Sequence, residues 1–349
     1  MIFVTGGTGL IGSFLLRELR RRNLAVRALH RGSLPPPDAP KGIDWVPGDL
    51  LDTDLLRACL TGRGEAVSHV FHCAGLVSYA PQDEEALQRV NVEGTAALVD
   101  ACLEVPGIRL GHVSSVAALG TSPAPGGVGN AGQLHVVDET AAWDLGASHP
   151  AYATSKYLGE LEVWRGVAEG LSAIIVNPSV VLGPGDWSRS STRLLRYARQ
   201  QHTFYTPGLL NFVDVRDVVA QLGRLTLDLP AVRGQRFVLN AGALPLADFF
   251  RQAAAAFGRR PPSVAVPDWA AELIWRLEHG RALLTGARPL ITRDTARAGR
   301  QPVRYEAARV QQTTGLPFRP LPDTIAWCAA ELTLRESEGV GASAPLAVS

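Results

Sequence analysis

The chain has 349 residues, 46% of them apolar, and a formal net charge of +1. That apolar share suffices for one large folded unit or two closely joined ones, and Arg and Asp/Glu are spread too evenly to form the basic stripe a nucleic-acid partner requires. No run of about 18 uninterrupted apolar residues occurs, so no membrane partner or span is expected.

Met1-Ile2-Phe3-Val4 begins an apolar strand at once, with no basic segment before it. No secretory signal is therefore read, and a cytoplasmic location is expected. Strand Ile2–Thr5 leads to helix Leu10–Arg22, whose closing Arg20-Arg21-Arg22 complements the helix dipole. A strand at Ala25–His30, a helix at Thr53–Leu60 and a strand at Val67–Cys73 follow. A long helix spans Glu84–Glu104, then come a strand at Arg109–Ser114, a helix at Tyr152–Gly170 and a strand at Ala173–Pro178. Strands alternating with helices predict an α/β fold with a parallel sheet covered on both faces, and such sheets bind ligands beyond the carboxyl ends of their strands. The loops Thr121–Gln133 and Gly183–Ser191 follow strands directly, where substrate loops belong.

Past about residue 180 the alternation loosens. Arg193–Gln201 is helical, Phe212–Leu227 returns to strand then helix, and Phe237–Asn240 is a short strand; Pro245–Phe257 and Trp269–Leu284 are helical. The expected division is a dinucleotide-binding domain over 1–180, rejoined by 212–243, and a smaller, mostly helical substrate lobe from 181–211 and 244–335. The tail Glu336–Ser349 is expected to be disordered. Cys59, Cys73, Cys102 and Cys328 form no C-x-x-C pair and read as buried thiols, with no metal site expected.

Thr5-Gly6-Gly7-Thr8-Gly9-Leu10-Ile11-Gly12 joins the first strand to the first helix. Its glycines permit a tight turn and let a pyrophosphate approach N–H groups at a helix N-terminus. The second strand ends at His30-Arg31, with Arg27 before it and no acidic residue until Asp38. An acid there would take a ribose 2′-hydroxyl, whereas Arg accommodates a 2′-phosphate. NADP(H) is therefore the preferred cofactor, with NAD(H) possible. Asp49, in Gly48-Asp49-Leu50, is either an acceptor for the adenine amino group or the cap of the helix that follows.

Of the 34 basic residues only Lys41 and Lys156 are lysines. Lys156 stands four residues after Tyr152, although random placement would give about 0.03 Tyr-x-x-x-Lys pairs. Residues i and i+4 share a helix face, so a compact cation lies one turn from a phenol. Such a cation favours phenolate and brings its pKa toward neutrality.

Together these marks resemble an extended short-chain dehydrogenase/reductase, of the NAD-dependent epimerase/dehydratase family and its dihydroflavonol-reductase-like branch. The likeness covers about residues 1–335 and runs through Thr5–Gly12, Gly48–Leu50, His72–Gly75, Asn91–Thr95, Ser114-Ser115, Tyr152–Lys156, Asn177–Pro184 and Phe212–Val218. It implies a Rossmann-type, doubly wound sheet. It also implies a catalytic Ser115, Tyr152 and Lys156: Tyr152 as acid/base, Lys156 lowering its pKa and binding the ribose, Ser115 orienting the carbonyl. Cofactor contacts are implied at Gly6, Thr8, Gly9, Leu10, Ile11, Gly12, Arg31, Asp49, Leu50, Cys73, Ala74, Gly75, Asn91, Tyr152, Lys156, Pro178 and Val180. Asn91 is expected either to bend its helix around a water or to be structural, and His72 to be a satisfied core residue.

Dehydratases of the family carry an acidic pair after the serine, where this chain has Ser115-Val116-Ala117-Ala118, so water elimination is not expected. Asn177-Pro178 matches reductase-like members, although Arg189, Arg193 and Arg196 offer a possible diphosphate clamp. Val77, Ser78, Tyr79, Asn177, Trp187, Phe204, Tyr205 and Phe212 are the candidate substrate contacts, mostly apolar or aromatic. The favoured function is reduction of a ketone or aldehyde, or oxidation of a secondary alcohol, with NADP(H). A sugar-nucleotide epimerase with retained NAD and a non-catalytic dinucleotide sensor are the alternatives. The apolar helices Glu84–Glu104 and Tyr152–Gly170 suit a homodimer bundle or packing within one subunit.

Overall fold

The computed structural model describes residues 1–32, 39–62, 65–120, 134–185, 192–267, 269–270 and 303–337. Trp187, Arg189, Asp38, the loop Thr121–Gln133, all but two residues of Trp269–Leu284, and the tail beyond 337 lie outside the described residues.

Strand β1 (Ile2–Thr5) is buried at every position, as an apolar run covered on both sheet faces must be. It is followed by helix α1 (Leu10–Arg21), β2 (Val26–His30), β3 (Ile43–Pro47), α2 (Thr53–Thr61) and β4 (His69–His72). After β4 a helical run comprises α3 (Glu84–Leu87), a π segment (Gln88–Glu93) and α4 (Gly94–Leu103). Then come β5 (Arg109–Val113), β6 (His135–Val137), α5 (Ala151–Ala168), β7 (Ser172–Pro178) and β8 (Val180–Leu182). The remainder holds α6 (Thr192–Arg199), β9 (Phe204–Tyr205), β10 (Leu209–Asp214), α7 (Val215–Gly223), β11 (Gln235–Leu239), β12 (Gly242–Pro245) and α8 (Leu246–Ala256). It closes with β13 (Val264–Ala265), β14 (Val303–Tyr305) and the helices Ala308–Thr314 and Leu321–Ser337.

Seven parallel strands form one sheet in the order β11-β7-β5-β4-β1-β2-β3. The chain moves outward from β1 to β3, then crosses to β4, so the order reverses between β1 and β4. Leu15, Leu16 and Leu19 of α1 and Val218, Val219 and Leu222 of α7 are buried against one face. Leu56 and Leu60 of α2, Leu98 and Val99 of α4 and Val163 of α5 fill the other. A Rossmann-type, doubly wound sheet is the result, as the sequence predicts. The long apolar helices thus spend much of their apolar surface inside the subunit.

Strand β3 is not expected from the sequence. It lies at the sheet edge with an exposed or half-buried pattern, so only Trp45-Val46 reads as apolar. A third core joins Leu195 and Ala198 of α6, Phe249 and Phe250 of α8 and Ile325 and Cys328 of the last helix to Leu210 and Phe212 of β10. That helix includes Glu336 and Ser337, which the sequence assigns to the tail. It is tied to α7 by side chains. Buried Asp214 caps α7, pairs with Arg216 at 2.6 Å and accepts from Thr324 Oγ1 at 2.7 Å, while Asp217 pairs with Arg319.

Candidate active site

The turn after β1 is shaped by backbone crowding. Gly6 has φ +72°, and a Cβ there would lie 2.3 Å from the Ala74 nitrogen; one on Gly12 would lie 2.1 Å from the Gly6 carbonyl oxygen. The turn therefore presses directly on Cys73-Ala74 at the end of β4, across the point where the strand order reverses. Gly9 caps α1 without a side-chain hydrogen bond, and Thr8 and Gly9 are exposed. The N–H groups of Leu10, Ile11 and Gly12 have no helical acceptor. An uncapped, exposed helix N-terminus fits a dinucleotide's pyrophosphate.

Arg31 is exposed just past β2. Arg27 is spent elsewhere: it pairs with Asp44 at 2.7 Å and donates to the Cys59 carbonyl at 2.9 Å. Its place within β2, opposite Phe3, keeps it from the strand end, so it lends no support to a 2′-phosphate. Asp49 is exposed and accepts from the Leu51 N–H, whereas Asp52 caps α2; the capping alternative for Asp49 is thereby overturned. Leu50 is buried beside it.

Beyond β4 and β5 the structure brings Ser115, Tyr152 and Lys156 together with Gly75 and Asn91. Ser115 follows β5, where its Oγ accepts from the Ala117 N–H at 3.1 Å and lies close enough to the Tyr152 phenol to lower its pKa. Tyr152 and Lys156 lie one turn apart near the start of α5, both buried. Lys156 Nζ donates to the Val113 carbonyl at 3.0 Å and lies 3.8 Å from where a Cβ on Gly75 would sit. Asn91 sits in the π segment and clasps Leu76 through both backbone groups, at 2.7 and 2.9 Å, while donating to Ser155 at 2.9 Å. It thereby fixes the chain beyond Gly75 against α5. His72 is fully buried between Thr5 Oγ1 and Thr95 Oγ1, at 2.7 and 3.0 Å, as expected of a satisfied core histidine. Pro178 closes β7 and Val180 opens β8.

The electrostatics depart from expectation in one respect. Burial, then the nearby Tyr79 phenol, pushes the Tyr152 pKa up, against a smaller lowering by Ser115. Burial pulls Lys156 down to about 8. The protein alone thus keeps Tyr152 as a neutral phenol, because desolvation outweighs the cation one turn away.

Among the candidate substrate residues Tyr79 is best placed, 44% exposed with its ring 5.5 Å from that of Tyr152; Val77 beside it is exposed too. Ser78 is held in its own loop, donating to Asp83 and accepting from the Ala80 N–H. Asn177 is fully buried, and its amide donates to Glu160 at 2.7 Å and to the Ser115 carbonyl at 3.0 Å. It holds the serine from behind and leaves no surface for a substrate, contrary to the expectation from the sequence. Phe212 likewise leaves none, buried in the third core. Tyr205 is half-buried and Phe204 exposed on β9.

Three residues carry no sequence signal. Glu160 and Arg236 pair at 3.3 Å beneath the site. Tyr305, on β14, is clasped by Asn240, which donates to its carbonyl, and by Asn211, which accepts from its N–H. Its phenol is pushed up to about 12 by burial and then by Tyr79. No motif marks them because contacts between distant segments make their environment.

A model described as the NAD-dependent epimerase/dehydratase family matches residues 2–228. The chain is 33% identical over 339 residues to a Synechocystis sp. protein provisionally named dihydroflavonol 4-reductase, covering 93% of each chain. It is 30% identical over 286 residues to sterol demethylase protein B of Methylococcus capsulatus, covering 80% of each. Among solved structures it resembles gox2253 with a TM-score of 0.76 and 29% identity, covering 97% of this chain and 99% of that one.

Proposed function

The chain belongs to the NAD-dependent epimerase/dehydratase family, and from that premise we propose that it is an NADPH-dependent reductase of an apolar or aromatic ketone or aldehyde. The observation that carries this reading is the gathering of Ser115, after β5, with the buried Tyr152 and Lys156 of α5, Lys156 being held by the Val113 carbonyl at the end of β5.

The glycine turn and the N–H groups of Leu10, Ile11 and Gly12 hold the pyrophosphate, Arg31 meets the 2′-phosphate, and Cys73, Ala74 and Gly75 line the crevice. When bound, the nicotinamide supplies a hydride. Ser115 donates a hydrogen bond to the substrate carbonyl oxygen, and Tyr152 gives that oxygen its proton as negative charge develops there. At neutral pH the phenol holds the proton it has to give, although burial alone weakens it as an acid. Lys156 binds the ribose and, as a cation, stabilises the phenolate left behind. Val116, Ala117 and Ala118 follow the serine in a short 3-10 turn and offer no acid or base for dehydration. The third core carries the substrate lobe, and Tyr79 and Tyr205 contact the substrate. A relative with a reductase name over 93% of this chain supports the same reading.

Oxidation of NADPH against a panel of aromatic and aliphatic aldehydes and ketones tests it. Turnover with NADPH well above that with NADH is expected, and Arg31→Glu narrows the ratio by about tenfold, the scale of one charge contact. No turnover across the panel, together with interconversion of sugar nucleotides, contradicts it.

A further inference from the structure

We propose that His72, buried at the end of β4, is a positioning residue: its imidazole, with a proton on Nε2, ties the glycine turn to the π segment, and through that segment sets the reach from the dinucleotide crevice to Tyr152. This rests on the crevice and Tyr152 acting as the proposed function has them.

The hydrogen bonds fix which way each proton points. Thr95 Oγ1 has one proton and gives it to the Asn91 carbonyl at 2.7 Å, because a carbonyl oxygen only accepts. Its contact with His72 Nε2 at 3.0 Å therefore requires the Nε2–H to donate. Nδ1 is left to accept from Thr5 Oγ1 at 2.7 Å, and burial, then the charge of Lys156, keeps a second proton off the ring by pulling its pKa down to about 3. Beyond Asn91 the same reasoning holds. Ser155 Oγ gives its proton to the Tyr152 carbonyl at 2.8 Å and so accepts from Asn91 Nδ2 at 2.9 Å. The other Nδ2 proton goes to the Leu76 carbonyl, and Oδ1 accepts from the Leu76 N–H. Two directed runs thus meet at Asn91, one from the foot of the glycine turn and one to the backbone of the proton donor. Thr5, His72, Asn91, Thr95 and Ser155 are each no more than 3% exposed, so water does not compete for these bonds.

The placement gives the network a job beyond packing. Thr5 ends β1 directly before Gly6 and is paired with His72 across the sheet. The crevice wall Cys73-Ala74-Gly75 starts after His72 and ends at Leu76. One helical turn therefore holds both ends of that wall, His72 through Thr95 and Leu76 through Asn91. Helix α5 presses on the same turn, since a Cβ on Gly159 would lie 2.2 Å from the Asn91 carbonyl oxygen. Moving reacting groups by about 1 Å costs about 10²-fold in rate, so a brace between crevice and α5 bears on the reaction without touching it. His112 provides the contrast. Its ring lies 5.0 Å from that of His72 and is 2% exposed, yet neither of its nitrogens has a hydrogen-bond partner among the described residues.

The ring proton is read directly in the full-length protein without cofactor. With histidine labelled with nitrogen-15, two-bond proton–nitrogen spectra report which ring nitrogen is protonated, and His72→Gln assigns the signal by its loss. Nε2–H is expected for His72; Nδ1–H overturns the proposal. His72→Leu is expected to slow single-turnover oxidation of NADPH by an accepted ketone or aldehyde by about tenfold or more, both reactants saturating, while the NADPH dissociation constant, read by fluorescence, moves by less than about threefold. His72→Gln, whose amide can accept from Thr5 and donate to Thr95, restores the rate to within about threefold. His112→Leu is the packing control and leaves rate and affinity unchanged. An unslowed His72→Leu, a His72→Gln as slow as His72→Leu, or a His112→Leu as slow as either overturns the proposal. Should His72→Leu fail to fold, Thr95→Val removes the acceptor of the Nε2–H from the α4 side and decides in its place: a slowed rate supports the proposal, and a normal one overturns it. No NADPH oxidation by the unaltered chain with any carbonyl compound sinks the reductase reading instead, and the ring proton still shows whether the brace is built as described.

Discussion

Gly6 and Gly12 leave no room for a side chain, because the backbone of Ala74 and of Gly6 itself fills the space. The helix Leu321–Ser337 and the residues leading into it, by contrast, are attached to the sheet domain through Thr324 on Asp214 and the Arg319–Asp217 pair. At the dinucleotide end, then, backbone meets backbone and only one residue type fits. At the lobe, side chain meets side chain and many combinations would serve. The first kind of contact defends a cleft of fixed shape, while the second lets the lobe vary around it.

The contrast can be broken most forcefully at the site between the two regions. Tyr152→Phe removes the proton donor and is expected to lower kcat by about 10²–10⁴-fold, with NADPH affinity unchanged in a fluorescence titration. Near-normal turnover would mean the acid lies elsewhere. Gly6→Ala should be the costliest change to the scaffold. It adds a methyl group against backbone at a positive φ, so a loss of about 2–4 kcal/mol is expected from denaturant unfolding, together with loss of NADPH binding. Gly107→Ala is the matched control, with φ +83° but nothing within 4 Å of the new Cβ. It should cost about 1 kcal/mol and leave NADPH binding intact.

Lys156→Met tests the energetics of the buried cation. The folded-state pKa of about 8 lies below the 10.5 of an ordinary lysine, so the protonated lysine opposes folding. The variant should gain about 2–3 kcal/mol below pH 8. Between about pH 8 and 10.5 the unfolded chain holds the proton that the folded chain has released, so the unaltered protein gains stability and the difference shrinks. A variant less stable at pH 7 would show that Lys156 is fully compensated in place. At the lobe, Thr324→Val deletes one buried hydrogen bond to Asp214 and should cost about 1–2 kcal/mol, leaving NADPH affinity unchanged. A loss of affinity there would mean that the lobe attachment and the cofactor cleft are coupled.

The same contrast explains what could be read in advance. The inner strands β1, β4, β5 and β7 of the main sheet are mostly buried and read as strands in the sequence, and the glycine turn is visible because sterics allow no substitute. Strand β3 escaped because an edge strand needs few apolar residues. Asn177 resembled a substrate contact because its neighbour Pro178 fits the reductase pattern, but its direction depends on Glu160, 17 positions away. Tyr305 is held in place by Asn211 of β10 and by Asn240 just after β11, and a pairing across such distances leaves no local periodicity. The rise of the Tyr152 pKa is also invisible in the spacing of Tyr and Lys, since desolvation depends on everything that covers the phenol.

Under the proposed function a hydride passes to a carbonyl carbon while Tyr152 protonates the oxygen. Single-turnover reaction of an accepted ketone or aldehyde with NADPH deuterated on the transferred face of C4, followed by mass spectrometry, measures it directly. One deuterium is expected on the new carbinol carbon for each NADPH consumed, at a rate reduced by about 10²-fold or more in Tyr152→Phe. Unlabelled product, or the same rate in both proteins, would contradict it.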